Sequence, residues 1–394
     1  MAEPWLSIIG LGEDGLAGLS DISRAALASA HHVFGAPRHL ALAQVNDRGT
    51  AWDVPFDLQP LLALRGQPVT LLASGDPFWF GAGGSVCQYL QTGEWIAYPA
   101  PSTFSRAAAK LGWRLENVQC LGLHAAPLST VRPWLRRGQR LVCLVRDAEA
   151  LRALVALASA QGFGEASGWA LERLGGPLER VRAFRLAAAN LPELQAPLAL
   201  AMDLHQGPPG LPASSGLPDE LFVHDGQITK STIRALTLRA LAPRPGECLW
   251  DLGAGSGSIS VEWCLAGGCA HAVEQQAERA ANIRYNAEQF GLSNRLHVQT
   301  GNSLECLSAL PRPDAVFVGG GFDRAIFDAI ATSAGRGVRL VVNSVTLQTE
   351  SLLQELLVRH GGELLQVAIA QAQPLGRMLS WQPSRPVVQW SVRL

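Results

Sequence analysis

The sequence is short of lysine, of surplus charge and of long apolar runs, and these absences exclude whole classes of partner. Its 394 residues carry 32 basic and 33 acidic side chains, for a net charge of −1. Nucleic-acid binding is not expected, because phosphate contacts depend on a basic surplus. No uncharged apolar run approaches the roughly 18 residues that a membrane-spanning helix needs. We therefore expect neither nucleic acid nor a membrane as a partner.

Cysteine is present, but not in an arrangement typical of a metal site or a disulfide framework. The seven cysteines are scattered, odd in number and without a Cys-x-x-Cys pair. We expect small buried side chains in a reducing compartment and no metal site. A strand-like run at 5–10 begins almost at the N-terminus, which predicts that no signal peptide precedes the fold. The sequence therefore predicts a cytoplasmic protein.

One segment predicts a boundary between two domains, which a chain of this length is expected to contain. Residues 206–218 hold four prolines, three glycines and two serines, a composition that continues neither a helix nor an inner strand. We predict domains at 1–205 and 220–394, joined by a linker at 206–219. No internal repeat relates the halves, which favours the fusion of two different modules.

Apolar runs alternate with helical patterns in both halves. In the first half we predict strands at 5–10, 69–73, 140–145 and 197–202, and helices at 21–30, 105–110 and 148–161. In the second half we predict a helix at 231–241, then strands at 248–252, 271–274, 296–300, 315–318 and 337–342, and a closing antiparallel hairpin of 364–369 with 386–393. This alternation predicts an α/β protein with parallel, doubly wound sheets that bind ligands at the carboxyl ends of the strands.

The second half contains a glycine motif directly after a predicted strand. Asp251-Leu252 leads into Gly253-Ala254-Gly255-Ser256-Gly257, and a helical pattern follows. Glycine allows a tight turn and close approach to a ligand, and the helix N-terminus offers free N–H groups. Glu274, 23 residues after Asp251 and at the end of the next strand, is placed to bind the ribose hydroxyls of an adenosyl group.

Two features favour S-adenosyl-L-methionine over a dinucleotide at this motif. Asp251 precedes the glycines, and the turn Gly301-Asn302-Ser303 after the third strand is placed to flank an adenine. The dinucleotide fingerprint G-x-G-x-x-G requires a glycine where this chain has Ser258. A glycine turn without a ligand is the structural alternative. After the fourth strand, Gly319-Gly320-Gly321 stands where many amino- and nucleobase-directed methyltransferases have a Pro-Pro-aromatic motif, which leaves room for a bulky flat substrate.

Residues 222–394 resemble the decarboxylating precorrin methyltransferase module of cobalamin biosynthesis, which has a Rossmann-like class I methyltransferase fold. The resemblance is carried by Thr229–Arg234, Asp251–Gly257, Gly301–Ser303 and Val318–Gly321. It implies a binding site for the methyl donor formed by Thr229, Gly253, Ala254, Gly255, Ser256, Gly257, Glu274, Asn302 and Ser303.

The first half contains four ordered motifs of a different kind. They are Gly10-Leu11-Gly12-Glu13-Asp14-Gly15, Gly75-Asp76-Pro77-Phe78-Trp79-Phe80-Gly81, Pro101-Ser102-Thr103-Phe104-Ser105 and Leu171-Glu172-Arg173-Leu174-Gly175. Residues 4–203 thereby resemble the tetrapyrrole (class III) methylase fold, in which two α/β lobes hold S-adenosyl-L-methionine between them. The resemblance implies a second cofactor site at Gly75, Asp76, Trp79, Phe104 and Ser105.

Three interpretations within the first half stay open. Glu13 stands where many such methylases have proline, so no role is transferred to it, although Gly-Glu-Asp-Gly itself resembles the C5-methylating precorrin subgroup. Asp76 either caps a turn or acts as a general base. His31, His32 and His39 are interpreted as structural histidines, and His124 is a candidate to face the substrate.

Together the two resemblances imply a bifunctional enzyme that transfers methyl groups to carbons 5 and 15 of a precorrin and removes carbon dioxide from an acetate side chain. Such a tetrapyrrole carries many carboxylates, so arginines are expected at the cleft mouth, with Arg38, Arg106, Arg377 and Arg385 as candidates. No catalytic residue is identified. A homo-oligomer is implied by the resemblance alone. The alternatives are a cobalt-containing substrate and a protein that binds a tetrapyrrole without turnover.

Overall fold

The computed structural model describes residues 4–52 and 57–394, so positions 1–3 of the predicted first domain lie outside the described residues. The chain divides into two compact units. The N-terminal unit runs to Leu128 and continues over Trp134–Pro208, and the C-terminal unit comprises Ser129–Pro133 and Pro209–Leu394. The division at Pro208 lies inside the segment rich in proline and glycine.

The first lobe of the N-terminal unit is a parallel sheet covered by helices. Its strands are β1 (Leu6–Leu11), β2 (His32–Gly35), β3 (Gly49–Ala51), β4 (Val69–Ser74) and β5 (Trp95–Tyr98), in the order β3-β2-β4-β1-β5. Its helices are α1 (Asp21–Ser29), α2 (Pro37–Ala43), α3 (Gln59–Leu62), α4 (Ala82–Cys87) and α5 (Thr103–Leu111). Because β1 and β4 are buried on both faces, they are nearly continuous apolar runs.

The second lobe corrects the expectation of a parallel sheet. It contains β6 (Val118–Gly122), β7 (Arg140–Val145), α6 (Ala148–Ala158), β8 (Ser167–Glu172), β9 (Arg180–Arg185) and β10 (Leu198–Asp203). The strand order is β6-β7-β10-β8-β9, and only β6 and β7 are parallel. The connections from β8 to β9 and from β9 to β10 contain no α-helix, so these strands lack the crossover that parallel neighbours require.

The C-terminal unit is a seven-stranded sheet with helices on both faces. Its elements are α7 (Ser231–Leu241), β11 (Cys248–Leu252), α8 (Ser258–Leu265), β12 (Cys269–Glu274), α9 (Ala277–Gln289), β13 (Leu296–Thr300), α10 (Ser303–Cys306), β14 (Ala315–Val318), α11 (Arg324–Ser333), β15 (Arg339–Ser344), α12 (Leu347–His360), β16 (Glu363–Val367), β17 (Ala370–Leu375), β18 (Met378–Pro383) and β19 (Val387–Arg393). The order is β13-β12-β11-β14-β15-β19-β16, with β19 antiparallel to both neighbours.

The predicted closing hairpin is half right. The segments β16 and β19 pair antiparallel as expected. They are not joined by a turn, however, because a separate hairpin of β17 and β18 lies between them in the chain, and every residue of those two strands is exposed. The two faces of the main sheet have separate cores, since Leu249 packs on one side and Trp250 and Leu252 on the other.

The structure also bears on the apolar content of the helices and on the state of the cysteines. Within residues 4–52 and 57–394, no helix is long and apolar enough to cross a membrane. All seven cysteines are free thiols, of which Cys143, Cys264 and Cys306 are buried.

Candidate functional site

A cavity of about 600 Å³ lies between the two lobes of the N-terminal unit. The first lobe contributes the turns after β1, β2 and β4 and the start of α5, and the second lobe contributes residues beyond β6, β7 and β8 and around Pro197. Since the carboxyl ends of parallel strands meet at one edge of a sheet, residues distant in sequence converge here.

Four of the six residues predicted to bind the donor or to face the substrate in this unit, the arginines aside, line the cavity. Gly75, Trp79, Phe104 and His124 are at its wall, with the rings of Trp79 and Phe104 4.9 Å apart. Burial lowers the pKa of His124, so its imidazole favours the neutral form.

Asp76 and Ser105 support the loops behind this wall. The Asp76 Oδ1 accepts the N–H of Phe78 at 2.9 Å, the turn-capping arrangement that was one of its two interpretations. The Ser105 N–H donates to Ser102 Oγ at 3.1 Å, which caps α5. Both residues hold backbone in place beside the cavity.

The fold brings together at this cavity several polar residues that no sequence motif linked to one another. Arg38 forms an ion pair with Glu13, and Arg106 donates to Asp14 Oδ2 at 2.9 Å. Both arginines line the cavity, as does His39. Arg38 and Arg106 were candidates for carboxylate binding, but their acidic partners are 25 and 92 residues away, so no local motif links them.

Gly75 at the cavity wall has a backbone conformation and a close backbone contact that leave no room for a side chain. Its φ is +55°, and a Cβ added there would lie 2.9 Å from the Ser102 Cα. We expect Gly75→Ala to lower the free energy of unfolding by about 1–3 kcal/mol, because an L side chain is strained in this region and backbone must move. Urea denaturation tests this. The control Gly84→Ala adds a Cβ in open space within α4 and should be stabilising by about 0.5–1 kcal/mol; equal effects of the two would contradict the prediction.

In the C-terminal unit, the glycine loop between β11 and α8 forms a backbone cradle. Gly253, Gly255 and Gly257 have φ of +67°, +59° and +71°. A Cβ on Gly253 would lie 2.8 Å from the Gly320 carbonyl oxygen, and one on Gly257 would lie 2.6 Å from Ile283 Cγ2. Side chains are therefore excluded at these positions, which leaves exposed backbone at the carboxyl end of β11.

Two buried carboxylates support this cradle. Glu274 accepts the N–H of Gly255 at 2.8 Å through Oε2 and that of Gln276 at 3.0 Å through Oε1. Asp251 is fully buried, and its Oδ2 accepts the Ser260 hydroxyl at 2.6 Å. Its Oδ1, like the Oγ of Ser256, is buried without a partner in the described part of the chain. Unpartnered polar atoms beside a loop whose glycines admit no side chain fit a polar ligand such as S-adenosylmethionine.

The remaining predicted residues of the C-terminal unit surround or lie beyond this cradle. Thr229 precedes α7 and accepts a hydrogen bond from Arg234 through its carbonyl oxygen. Asn302 caps α10, since its Oδ1 accepts the Leu304 N–H at 2.9 Å, and Ser303 begins that helix. Arg377 lies in the turn between β17 and β18, and Arg385 lies between β18 and β19. No contact in the described residues joins these two arginines to the glycine loop.

Asp251 predicts a pH dependence of stability. Burial, with a smaller contribution from the charge of Glu274, raises the pKa of its carboxyl from 3.8 to about 7, against the opposing Ser260 hydrogen bonds. The folded state therefore holds a proton that the unfolded chain releases, so this contribution is complete below about pH 4 and is lost as pH rises through 7. In the wild type, this contribution should lower the free energy of unfolding by about 2–3 kcal/mol between pH 5 and 7. Asp251→Asn should lack that decline, and urea denaturation at several pH values measures both proteins. The exposed Asp328→Asn serves as control, and an unchanged slope in Asp251→Asn would refute the assignment.

A second cavity, of about 620 Å³, lies at the amino ends of β11, β14 and β15, the opposite edge of the sheet from the glycine loop. Arg339 and Arg244 both pair there with Glu247. This cavity is separate from the candidate cofactor site. In the described ranges, no group of three or more histidine, cysteine or acidic side chains is arranged to hold a metal ion.

Comparisons with known proteins follow the division into two units. Residues 6–190 match the tetrapyrrole (corrin/porphyrin) methylases, and residues 220–394 match the precorrin methyltransferase domain. A precorrin-6Y C(5,15)-methyltransferase [decarboxylating] of Sinorhizobium sp is 43% identical over 401 residues, covering 99% of this chain and 97% of the relative. The protein of the same name from Mycobacterium tuberculosis (strain H37Rv) is 37% identical over 397 residues, covering 98% of each chain.

A shorter relative matches less than half of the chain. The probable cobalt-precorrin-6B C(15)-methyltransferase (decarboxylating) of Pyrobaculum aerophilum is 35% identical over 184 residues, covering 44% of this chain and 94% of the relative.

The class is thus an enzyme that joins a two-lobed tetrapyrrole methylase to a class I methyltransferase fold, as the sequence predicted. The chain belongs to the family of decarboxylating precorrin-6Y C(5,15)-methyltransferases. It is a C-methyltransferase of cobalamin biosynthesis, which confirms the predicted function. The family implies S-adenosylmethionine as methyl donor and a small tetrapyrrole as substrate.

Proposed function

We propose that the two units catalyse different steps on one substrate, precorrin-6Y (precorrin-6B). The N-terminal unit methylates carbon 5. The C-terminal unit methylates carbon 15 and removes carbon dioxide from the acetate side chain of ring C, which yields precorrin-8. Each unit binds its own S-adenosyl-L-methionine. The observation that carries this proposal is the presence of two separate candidate donor sites, the cavity at Gly75 and the glycine cradle at Gly253–Gly257.

The assignment of carbon 15 to the C-terminal unit is supported by the shorter relative. It is named only for C(15) methylation with decarboxylation, and its 184 matched residues are close to the size of the domain matched at 220–394. The carbon 5 step is left for the tetrapyrrole methylase unit. Both full-length relatives are named for precorrin-6Y without cobalt, which favours a metal-free substrate.

The residues proposed to hold the donor differ between the units. In the N-terminal unit, Gly75, Trp79 and Phe104 form the wall, while Asp76 and Ser105 hold the loops behind it. In the C-terminal unit, Glu274 is proposed to bind the ribose hydroxyls. The proposed cradle and its flank consist of Thr229, Gly253, Ala254, Gly255, Ser256, Gly257, Asn302 and Ser303.

Substrate carboxylates are proposed to bind arginine. In the N-terminal unit, Arg38 and Arg106 line the cavity with His124. In the C-terminal unit, Arg377 and Arg385 stay candidates, on the exposed hairpin and just beyond it.

The proposed chemistry asks the protein mainly to orient and enclose its substrates. The donor supplies an electrophilic methyl group on a sulfonium, and a reduced tetrapyrrole has nucleophilic enamine-like meso carbons. Alignment and exclusion of water supply about 7–11 kcal/mol in well-oriented cases. In the decarboxylation, electrons of the breaking bond flow into the conjugated macrocycle once it is protonated, so the substrate is its own electron sink.

Mass spectrometry of a reaction with precorrin-6Y and S-adenosylmethionine tests the proposal. We expect a gain of two methyl groups and a loss of one carbon dioxide. One methyl group without decarboxylation would contradict the role of the C-terminal unit, and no reaction despite bound donor would favour a cobalt-containing substrate or a non-catalytic tetrapyrrole-binding protein.

The proposed domains are 1–205 and 220–394 with a linker at 206–219, which limited proteolysis tests by cleavage within 206–219. The homo-oligomeric state stays a prediction, which analytical ultracentrifugation would test.

A further inference from the structure

A serine and a histidine without an assigned role meet at the wall of the N-terminal cavity. Ser74 is the last residue of β4, and His39 lies in the first turn of α2. The Nε2 of His39 is 2.8 Å from the Oγ of Ser74, and both residues line the cavity. The parallel order of β2 and β4 creates this contact between residues 35 positions apart.

Arg38 determines which atoms of this pair accept hydrogen bonds. Its Nη2 is 2.9 Å from both Ser74 Oγ and His39 Nε2, and its Nη1 is held by Glu13. Because a guanidinium only donates, its Nη2 directs hydrogens at lone pairs of both partners. The Nε2 of His39 is therefore an acceptor, and the ring proton is on Nδ1. That Nδ1 is buried without a partner in the described part of the chain.

Burial and a neighbouring positive charge keep the imidazole of His39 neutral. Burial, with a smaller contribution from the positive charge of Arg38, lowers the pKa of His39 to about 4. Arg173 is near enough to help lower the pKa of Arg38, in addition to burial. Glu13 is the only anion paired with this group in the described residues. At neutral pH Nε2 is thus an unprotonated acceptor that can take a proton in place of its hydrogen bond from Arg38, and Ser74 Oγ connects it to the cavity.

Methyl transfer to a tetrapyrrole carbon creates a proton that must leave. The C–S bond of the sulfonium breaks with its electron pair staying on sulfur, and a carbon π pair of the substrate forms the new C–C bond. The macrocycle becomes a cation. Conjugation returns when it loses one C–H or N–H proton and the electron pair of that bond rejoins the π system.

We propose that Ser74 and His39 accept this proton in the N-terminal unit. Ser74 Oγ takes the substrate proton as its own hydroxyl proton moves to His39 Nε2. Arg38 and Glu13 are positioning residues that keep Nε2 unprotonated and beside Ser74 Oγ. This inference rests on the proposed function of the N-terminal unit.

The weak basicity of His39 suits this task. A cationic macrocycle is a strong acid, so a weak base suffices to take its proton. The resulting imidazolium lies beside Arg38, whose charge favours return of the Nε2 proton through Ser74 Oγ to the open cavity, which restores the neutral ring with its proton on Nδ1.

Ser74→Ala is the sharpest test, because it removes one hydroxyl from an exposed side chain. We expect kcat for the N-terminal methyl transfer to fall about 100-fold with little change in KM, since positioned acid–base groups contribute 10²–10⁴-fold. The kcat of His39→Asn should fall by a similar factor. The reaction of the C-terminal unit, measured by the release of carbon dioxide, is the internal control. The variants Ser29→Ala and His31→Asn, at exposed sites of the N-terminal unit, should retain the full rate of methyl transfer.

Two further readouts separate proton transfer from a structural role. The wild-type rate should decline below about pH 5 as His39 protonates. Without substrate, ¹⁵N NMR should show His39 with its proton on Nδ1, the signal being assigned by its loss in His39→Asn. A proton on Nε2, or wild-type kcat in Ser74→Ala, would overturn the inference. Failure of the wild type to methylate carbon 5 would instead overturn the proposed function.

Discussion

Replacing Arg234 by methionine is expected to lower the free energy of unfolding of the C-terminal unit by about 3–5 kcal/mol. The Arg234 side chain is completely buried on α7 and donates to Glu262 Oε1 at 2.5 Å and to Asp219 Oδ1 at 3.1 Å. It also donates to the carbonyl oxygens of Leu217 and Thr229. Methionine would leave Glu262 as a buried charge without its cation, and chemical denaturation would measure the loss.

The same helix offers a matched control. Arg239 is exposed on α7, so Arg239→Met should change stability by less than about 0.5 kcal/mol. The double variant Arg234→Met with Glu262→Gln should recover part of the loss, because it removes the buried charge. A loss as small as that of Arg239→Met would show that the buried pair contributes little.

Arg234 also links the stability of the unit to its candidate site. Glu262 accepts the N–H groups of Gly216 and Leu217 at 2.7 and 3.0 Å, so the end of the segment rich in proline and glycine is held against α8. Through its bond to the Thr229 carbonyl oxygen, the arginine also fixes the segment before α7. In the sequence Arg234 stands out only as part of a family motif, because a buried guanidinium has no periodic signature of its own.

Strands were predictable wherever burial on both faces produced an apolar run. The predicted bounds of 140–145, 248–252 and 315–318 match β7, β11 and β14. Strand direction was not predictable in the same way, because an apolar run carries no information about its neighbour. The second lobe shows the consequence: β8, β9 and β10 follow one another without crossover helices, and β8 pairs antiparallel with both β9 and β10. The exposed strands β17 and β18 have no buried face and therefore gave no alternating pattern.

In the candidate sites, too, some residues were predictable from sequence and others were not. Glycine motifs are local, so the turn at Gly75 and the loop at Gly253–Gly257 were found from sequence. The contacts among Glu13, Arg38, His39 and Ser74 depend on strand order, since β1, β4 and β2 are neighbours only in the folded sheet. Once that order is known, the convergence of their carboxyl ends accounts for the cluster.

Glu274→Ala is expected to weaken S-adenosylmethionine binding at the C-terminal site at least about 100-fold. Its carboxylate holds the Gly255 and Gln276 N–H groups at 2.8 and 3.0 Å, and it is the proposed partner of the ribose hydroxyls. Hydrogen bonds to a charged group contribute about 1.5–3 kcal/mol each, and 1.4 kcal/mol is tenfold in affinity. Isothermal titration should therefore show two sites in the wild type and one in the variant.

Glu274→Gln keeps the size and shape of the side chain but removes its charge and one of its two acceptor oxygens. Both oxygens of Glu274 accept N–H groups, and an amide has one acceptor, so its NH₂ would face either the Gly255 or the Gln276 donor. The isosteric variant should therefore also lose affinity, whereas Glu278→Gln, at an exposed position in the first turn of α9, should bind two equivalents as the wild type does. If Glu274→Gln retained both sites at unchanged affinity, the acceptor role of Glu274 would be refuted. Because the N-terminal cavity shares none of these contacts, the site that survives in Glu274→Ala should respond to changes at Gly75.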